Sequence, residues 1–263
     1  MIDKLLADIR VHRDIAKHYN VLNGLSGYAL LQHYEIEADD FLYSTFKRIV
    51  ESIDKLRFSY VYGNGISGLL WVMNFIKESK NVDYLDAVIE TLNRILLETY
   101  NSNINSKYDF FYGNTGIVHY LIDYNFNSES KDLIKKFLLD LNNDTIKKRE
   151  GSYYIQFENI KNQQKNSIDF GLAHGISSIV QVLSRIFKMG FENEIVSELL
   201  TGYINFLLSN KNNVQKAGSN FPSTFDSKGV KSRLAWCYGD LGTAIAIWQA
   251  GDNTGTDYWK EEA

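Results

Sequence analysis

A chain of 263 residues that is 44% hydrophobic and 14% aromatic can bury a large core, as one big domain or two ordinary ones, which excludes a disordered polypeptide. Its 28 Lys and Arg against 32 Asp and Glu, a formal charge of -4, are spread along the sequence without a basic stripe, so nucleic acid is not an expected partner. The single cysteine, Cys237, excludes an intrachain disulfide and makes a reducing cytoplasm the natural compartment, and no window approaches the roughly 18 apolar residues of a membrane span.

The N-terminal stretch from Met1 to Asp8 interrupts its apolar residues with charges, so it reads as neither a signal peptide nor an anchor. His12 and His18 fall on the exposed face of a first predicted helix, where a metal role is not expected. From there a turn with two glycines, or one glycine and a small residue, precedes an apolar helical run five times. The copies are Gly24-Leu25-Ser26-Gly27, Gly65-Ile66-Ser67-Gly68, Gly113-Asn114-Thr115-Gly116, Gly175-Ile176-Ser177-Ser178 and Gly239-Asp240-Leu241-Gly242. The intervals between them lengthen along the chain, so the repeating unit is a helix pair with growing insertions.

Between the first two turns, Asp39 and Asp40 cap the start of an outer helix and compensate its dipole. After the second turn, Ile66, Leu69, Leu70, Trp71, Val72, Met73, Phe75 and Ile76 are apolar on all sides, which predicts a buried inner helix. Leu85, Val88, Ile89, Leu92, Ile95 and Leu96 then form one helical stripe, with Asp86, Glu90 and Arg94 opposite, which predicts an outer helix with one wet side. Irregular stretches at about Asn142 to Gly171 and Asn210 to Arg233 interrupt the repeat, and within the first, Tyr153 to Phe157 has the composition of a short strand. The last residues, from Asp257 to Ala263, read as the opening of another outer helix. A glycine at each turn lets backbones approach closely and adopt a positive φ. Outer-inner pairs of this kind build an open solenoid or a closed α/α ring; apolar inner helices and lengthening insertions favour the ring, though periodicity alone leaves both open.

Three loop residues could carry chemistry. Cys237, in Trp236-Cys237-Tyr238-Gly239, stands just before a helix start, where amide dipoles favour a thiolate and Arg233 could add positive charge; the competing reading is a small buried hydrophobe. His174 precedes Gly175 one repeat earlier, so superposed repeats would bring a proton-transfer group near that thiol, whereas a lone histidine is more often simply packed. Asp109, ahead of Gly113, could orient an imidazole or accept from the arginine, and a turn aspartate is the alternative.

The ordered set Asp109-x-x-x-Gly113-x-x-Gly116, Leu172-Ala173-His174-Gly175-Ile176 and Arg233-x-x-Trp236-Cys237-Tyr238-Gly239 resembles the lanthionine synthetase C-like family. The resemblance implies an all-α fold, an α/α toroid of seven outer-inner helix pairs, with zinc at the mouth of the ring. It also implies a lanthipeptide cyclase, which adds peptide cysteine thiols to dehydroalanine or dehydrobutyrine to form thioether rings. A zinc with three protein ligands would leave a fourth position for the substrate thiol and make it a nucleophile at neutral pH. Carried over by position, Cys237 matches a zinc ligand, His174 the proton-transfer histidine, Asp109 the aspartate near it, Arg233 an arginine near the site, and Tyr238 the tyrosine after the ligand cysteine.

The family pattern has a second cysteine followed directly by histidine, which this sequence lacks; five glycine turns stand where seven are implied. The expectation is therefore a single toroid domain over residues 1–263, cut at the start of a sixth repeat, with zinc binding weak or absent in this chain alone. Expected partners are a dehydrated precursor peptide, a dehydratase, and a chain supplying the missing repeats. The alternatives are a noncatalytic peptide-binding toroid fragment without the metal, and an unrelated α/α-ring glycosidase, which would need a second acid beside Asp109.

Overall fold

A computed structural model of the chain describes residues 18–34, 39–53, 59–99, 107–157 and 167–263, so the expectation for His12 lies outside the described residues. The chain divides into two compact units, Met1–Asn101 with Asp123–Asn125, and Ser102–Ile122 with Phe126–Ala263.

In the first unit, helix α1 (Leu25–His33) packs on α2 (Asp39–Ile53) and α3 (Ile66–Lys80), and α3 packs on α4 (Asp86–Thr99). The described part of the second helix starts with the acidic pair Asp39 and Asp40. Ile66, Leu69, Leu70, Val72, Met73 and Ile76 of α3 are completely buried, which fits an inner helix, and each such side chain contributes about 1.5–3 kcal/mol. On the outer helix, Leu92 and Leu96 are buried while Asp86, Glu90 and Arg94 are exposed, so the stripe faces inward. His18 is exposed, as expected, but sits in a non-helical segment before α1 rather than on a helix.

The second unit holds α5 (Asn114–Tyr124, whose last two residues count with the first unit), α6 (Ser128–Asp144), α7 (Ile176–Lys188) and α8 (Asn193–Ser209). The one-turn helix α9 (Val214–Ala217), α10 (Asp240–Thr254) and α11 (Asp257–Glu262) follow. Helix α7 packs between α8 and α10, α8 also meets α6, and α10 meets α11. Ile176, Ile179, Val180, Val182, Leu183 and Ile186 of α7 are fully buried.

The aromatic segment forms a strand only at Tyr153–Tyr154 (β2), paired antiparallel with Ile146–Lys147 (β1) in the register Ile146 to Tyr154 and Lys147 to Tyr153. Its partner starts directly after α6 ends, so the ladder cannot run on to Phe157, which instead bridges to Ser167. The Tyr153 ring lies against α8 in the space where Gly202 has no Cβ.

One backbone pattern recurs in all five turns. The first N–H of each inner helix donates to a carbonyl at the start of its own loop: Leu25 to His18 (2.8 Å), Ile66 to Ser59 (2.9 Å), Asn114 to Lys107 (2.9 Å), Ile176 to Asp169 (2.9 Å) and Asp240 to Arg233 (3.2 Å). In three turns a hydroxyl one residue further on repeats the bond: Ser26 to Tyr19, Thr115 to Tyr108 (2.8 Å) and Ser177 to Phe170 (2.5 Å). These contacts satisfy helix-terminal groups that otherwise lack partners. The glycines serve close approach rather than unusual dihedrals: Gly24, Gly65 and Gly175 are extended, with φ of -128°, -131° and -139°. A Cβ at Gly68 would overlap the Tyr62 carbonyl, and one at Gly242 the Trp236 carbonyl. Only Gly239, before α10, combines its place in the turn with a positive φ of 104°.

Candidate active site

The loops before α5, α7 and α10, all in the second unit, bring most of the expected residues together. Asp109 is buried and uses both carboxylate oxygens: Oδ1 accepts the Tyr112 N–H at 2.7 Å, and Oδ2 lies 2.6 Å from Nδ1 of His174. Asp109 thus bonds within its own turn and also contacts the imidazole of the next. A carboxylate only accepts, so Nδ1 carries the hydrogen.

The residues immediately before the first glycine of these three turns are Tyr112, His174 and Tyr238, and they are mutual neighbours through the imidazole. Its ring stacks on Tyr112 (5.8 Å between centroids, 12° between planes) and meets Tyr238 at 5.7 Å. Phe111 lies 5.8 Å away and also packs edge-on to Trp236, which touches Phe110 as well. Trp236 and Tyr112 keep 39% and 37% of their surface exposed, enough to offer a ligand an aromatic wall beside the imidazole. Burial first, then the charges of Asp169 and Asp109, push the Tyr238 hydroxyl up to about 12, so it stays a neutral donor.

Cys237 is a half-buried free thiol whose loop joins that of His174: the Ala173 N–H reaches the Cys237 carbonyl at 3.4 Å. Arg233 stands at the start of the same turn. Its side chain is exposed and forms no ion pair among the described residues; it serves the turn through its carbonyl.

The sequence reading passed over Asp169, although it stands at the same place in its turn as Arg233 does. It is 8% exposed, and its Oδ1 accepts the Gly171 N–H at 2.7 Å. Burial pushes its carboxyl up to about 6; the Gly171 N–H and His174 pull it down, and the charge of Asp109 adds to the rise.

As to a metal, Cys237 is the sole thiol, and among the described residues no three His, Cys, Asp or Glu side chains gather as a metal-holding group. The described residues do not by themselves make up a structural or catalytic zinc site.

The class is defined by a helical repeat framework whose neighbouring turns bring together a histidine-carboxylate pair, an aromatic wall and the loop of the one cysteine. The chain belongs to the lanthionine synthetase C-like protein family, whose sequence model matches residues 16–263. In fold it is similar to nisin cyclase, with a TM-score of 0.73 and 21% identity over 99% of this chain and 72% of that one. This bears out the expected all-α class. A second similar structure is a family 105 glycoside hydrolase from C. acetobutylicum ATCC 824, with a TM-score of 0.54 and 15% identity over 98% of this chain and 79% of that one. No curated protein matches the sequence.

Proposed function

We propose that this chain acts in lanthipeptide biosynthesis as a cyclase, with His174 moving the proton when a cysteine thiol of a dehydrated precursor peptide adds to dehydroalanine or dehydrobutyrine. The observation that carries the reading is the 2.6 Å pair of His174 Nδ1 and Asp109 Oδ2 in a member of the lanthionine synthetase C-like family. In this addition the thiol gives up its proton, sulfur bonds to the β-carbon, and the π pair moves to the α-carbon as an enolate. A proton then returns to the α-carbon, completing the lanthionine or methyllanthionine thioether. An imidazole held by a carboxylate suits both transfers, because Asp109 stabilises the imidazolium between them. Tyr238, a neutral phenol against the ring, donates to charge developing on the enolate oxygen. Arg233, exposed at the mouth of its turn, contacts the peptide chain rather than the reacting atoms.

The zinc that the family resemblance implies would take Cys237 as one ligand, with the others supplied by residues outside the set described. The dehydrated residues require an upstream enzyme that removes water from Ser or Thr side chains, which makes a dehydratase the proposed partner. The free thiols of the substrate fit a reducing cytoplasm; no helix among the described residues is long and apolar enough to cross a membrane.

Cyclisation leaves mass unchanged, so the test counts thiols that remain alkylatable on a dehydrated peptide. His174→Asn should abolish most thiol loss, and full activity in that variant overturns the assignment. A noncatalytic peptide-binding module is the second reading, favoured by the lack of a three-donor group among the described residues. It predicts peptide binding with no thiol loss, and no stoichiometric zinc by elemental analysis.

A further inference from the structure

Asp169 opens the loop that ends in His174, and its carbonyl closes that loop on the first N–H of α7. The residues at the same place in the other turns are His18, Ser59, Lys107 and Arg233, so the backbone bond is indifferent to the side chain. What differs is where the side chain goes. His18 and Arg233 are exposed, and Lys107 reaches Asp144 on α6 at 2.9 Å. Ser59, half-buried, reaches Asn64 of its own loop at 3.5 Å, and of the five only Asp169 is buried.

Its Oδ1 binds the Gly171 N–H, and the loop closes so tightly on that oxygen that a Cβ at Gly175 would lie 2.8 Å from it and one at Gly171 3.2 Å. Enclosing a carboxylate costs stability, the more so with Asp109 nearby, so its placement calls for an offsetting role. The loop it fastens carries one functional side chain, the His174 imidazole, which must meet both Asp109 Oδ2 and the face of Tyr112.

We propose that Asp169 is a positioning residue for His174, its enclosed carboxylate fastening the loop from inside so that the imidazole is held against Asp109 and Tyr112. This rests on the proton-transfer role given to His174, but its primary readout is geometric and independent of activity. Stacking on Tyr112 displaces the His174 ring-proton resonances, and NMR of the folded protein follows that displacement.

In Asp169→Ala these resonances should return toward those of a free imidazole. With dehydrated peptide, kcat should fall about ten- to a hundredfold while KM changes little, as expected for a misplaced proton-transfer group. Asp169→Asn keeps an oxygen for the Gly171 N–H and should restore the ring resonances and much of the rate. Native His174 resonances in Asp169→Ala, or an Asp169→Asn as displaced as the alanine variant, overturns the proposal. Should Asp169→Ala fail to fold, amide exchange in the unsubstituted protein decides: a Gly171 N–H protected like that of Ile176 supports the clasp, and one exchanging freely overturns it. Full cyclisation by His174→Asn would instead refute the proposed function while leaving the resonance result standing.

Discussion

Replacing Asp109 by asparagine isolates the charge in the His174 pair. Asparagine can keep the Tyr112 N–H on its Oδ1, now bound at 2.7 Å, but its amide nitrogen then faces His174 Nδ1 where Oδ2 stood at 2.6 Å. Nδ1 must become the acceptor, the ring proton moves to Nε2, and the tautomer with an unprotonated Nε2 is lost. A hydrogen bond to a charged group is worth about 1.5–3 kcal/mol. The His174 side chain keeps 28% of its surface in solvent, so the lower half of that range applies. At about 1.4 kcal/mol per factor of ten, kcat should fall roughly ten- to fiftyfold in Asp109→Asn, with KM unchanged. The assay is single-turnover thiol alkylation on a dehydrated peptide. Asp109→Ala also frees the Tyr112 N–H and should be less stable still. A wild-type rate for Asp109→Asn would refute the pair as the proton-transfer unit.

The pH dependence of stability carries two opposed contributions. The Asp169 carboxyl sits at about 6 in the folded state against about 3.9 unfolded, so the fold holds the extra proton in between and loses stability as pH rises through that window. Asp169→Asn should therefore be more stable than wild type above about pH 6, by about 2–3 kcal/mol, and equal to it below about pH 4 in urea unfolding. Burial, helped by the Arg185 charge, lowers His119 from 6.5 to about 3, and Arg185 donates to its Nδ1 at 2.8 Å. There the unfolded state holds the extra proton, so the fold loses stability as pH falls from 6.5 toward 3, and His119→Gln should flatten that limb. Asp240 accepts the N–H groups of Asn220 (2.8 Å) and Phe221 (2.7 Å), tying the long loop before α10 to its first turn. Asp240→Ala should cost about 1–3 kcal/mol and speed exchange of those two amides. Gly239→Ala meets both a φ of 104° and the Arg233 carbonyl, and should cost about 3 kcal/mol and change the alkylation rate of Cys237, which lies in the same turn. An unchanged rate and midpoint would mean that the turn does not set the thiol's position.

Much of the fold was legible because it rests on local signals. The all-round apolar run after Gly65 and the one-sided stripe from Leu85 to Leu96 became an inner and an outer helix, since helical periodicity reports burial directly. The hairpin was only half legible: the composition of Tyr153 to Phe157 favours a strand, but its length is limited by a partner squeezed between α6 and the turn. For the site, a pairing of Asp109 with His174 was one of the open readings of the residues, and the family resemblance implied an aspartate near that histidine. The stacking on Tyr112 was not foreseen, because it depends on loops distant in sequence becoming neighbours, nor was the burial of Asp169, which depends on how its own loop folds back over the carboxylate. The repeat register was the missed signal, as it places Tyr112 and Tyr238 in line with His174, and Asp169 in line with Arg233.

That register also explains how chemistry arises on a repeated frame. The place before the first glycine is filled by Asn23, Asn64, Tyr112, His174 and Tyr238, and the backbone bond behind each is the same. Changing one side chain there alters the chemistry without altering the turn, so a catalytic group costs the fold little. The fifth turn departs furthest: Gly239 takes a positive φ, and exposed Leu241 stands where Ser26, Ser67, Thr115 and Ser177 are buried. The turn that carries Cys237 has thus lost the hydroxyl brace seen at Ser26, Thr115 and Ser177, and holds its shape through Asp240 and the long loop that Asp240 captures. The turn that carries the thiol is held by that tether, whereas the imidazole is held from another turn, by Asp109 at 2.6 Å and the face of Tyr112.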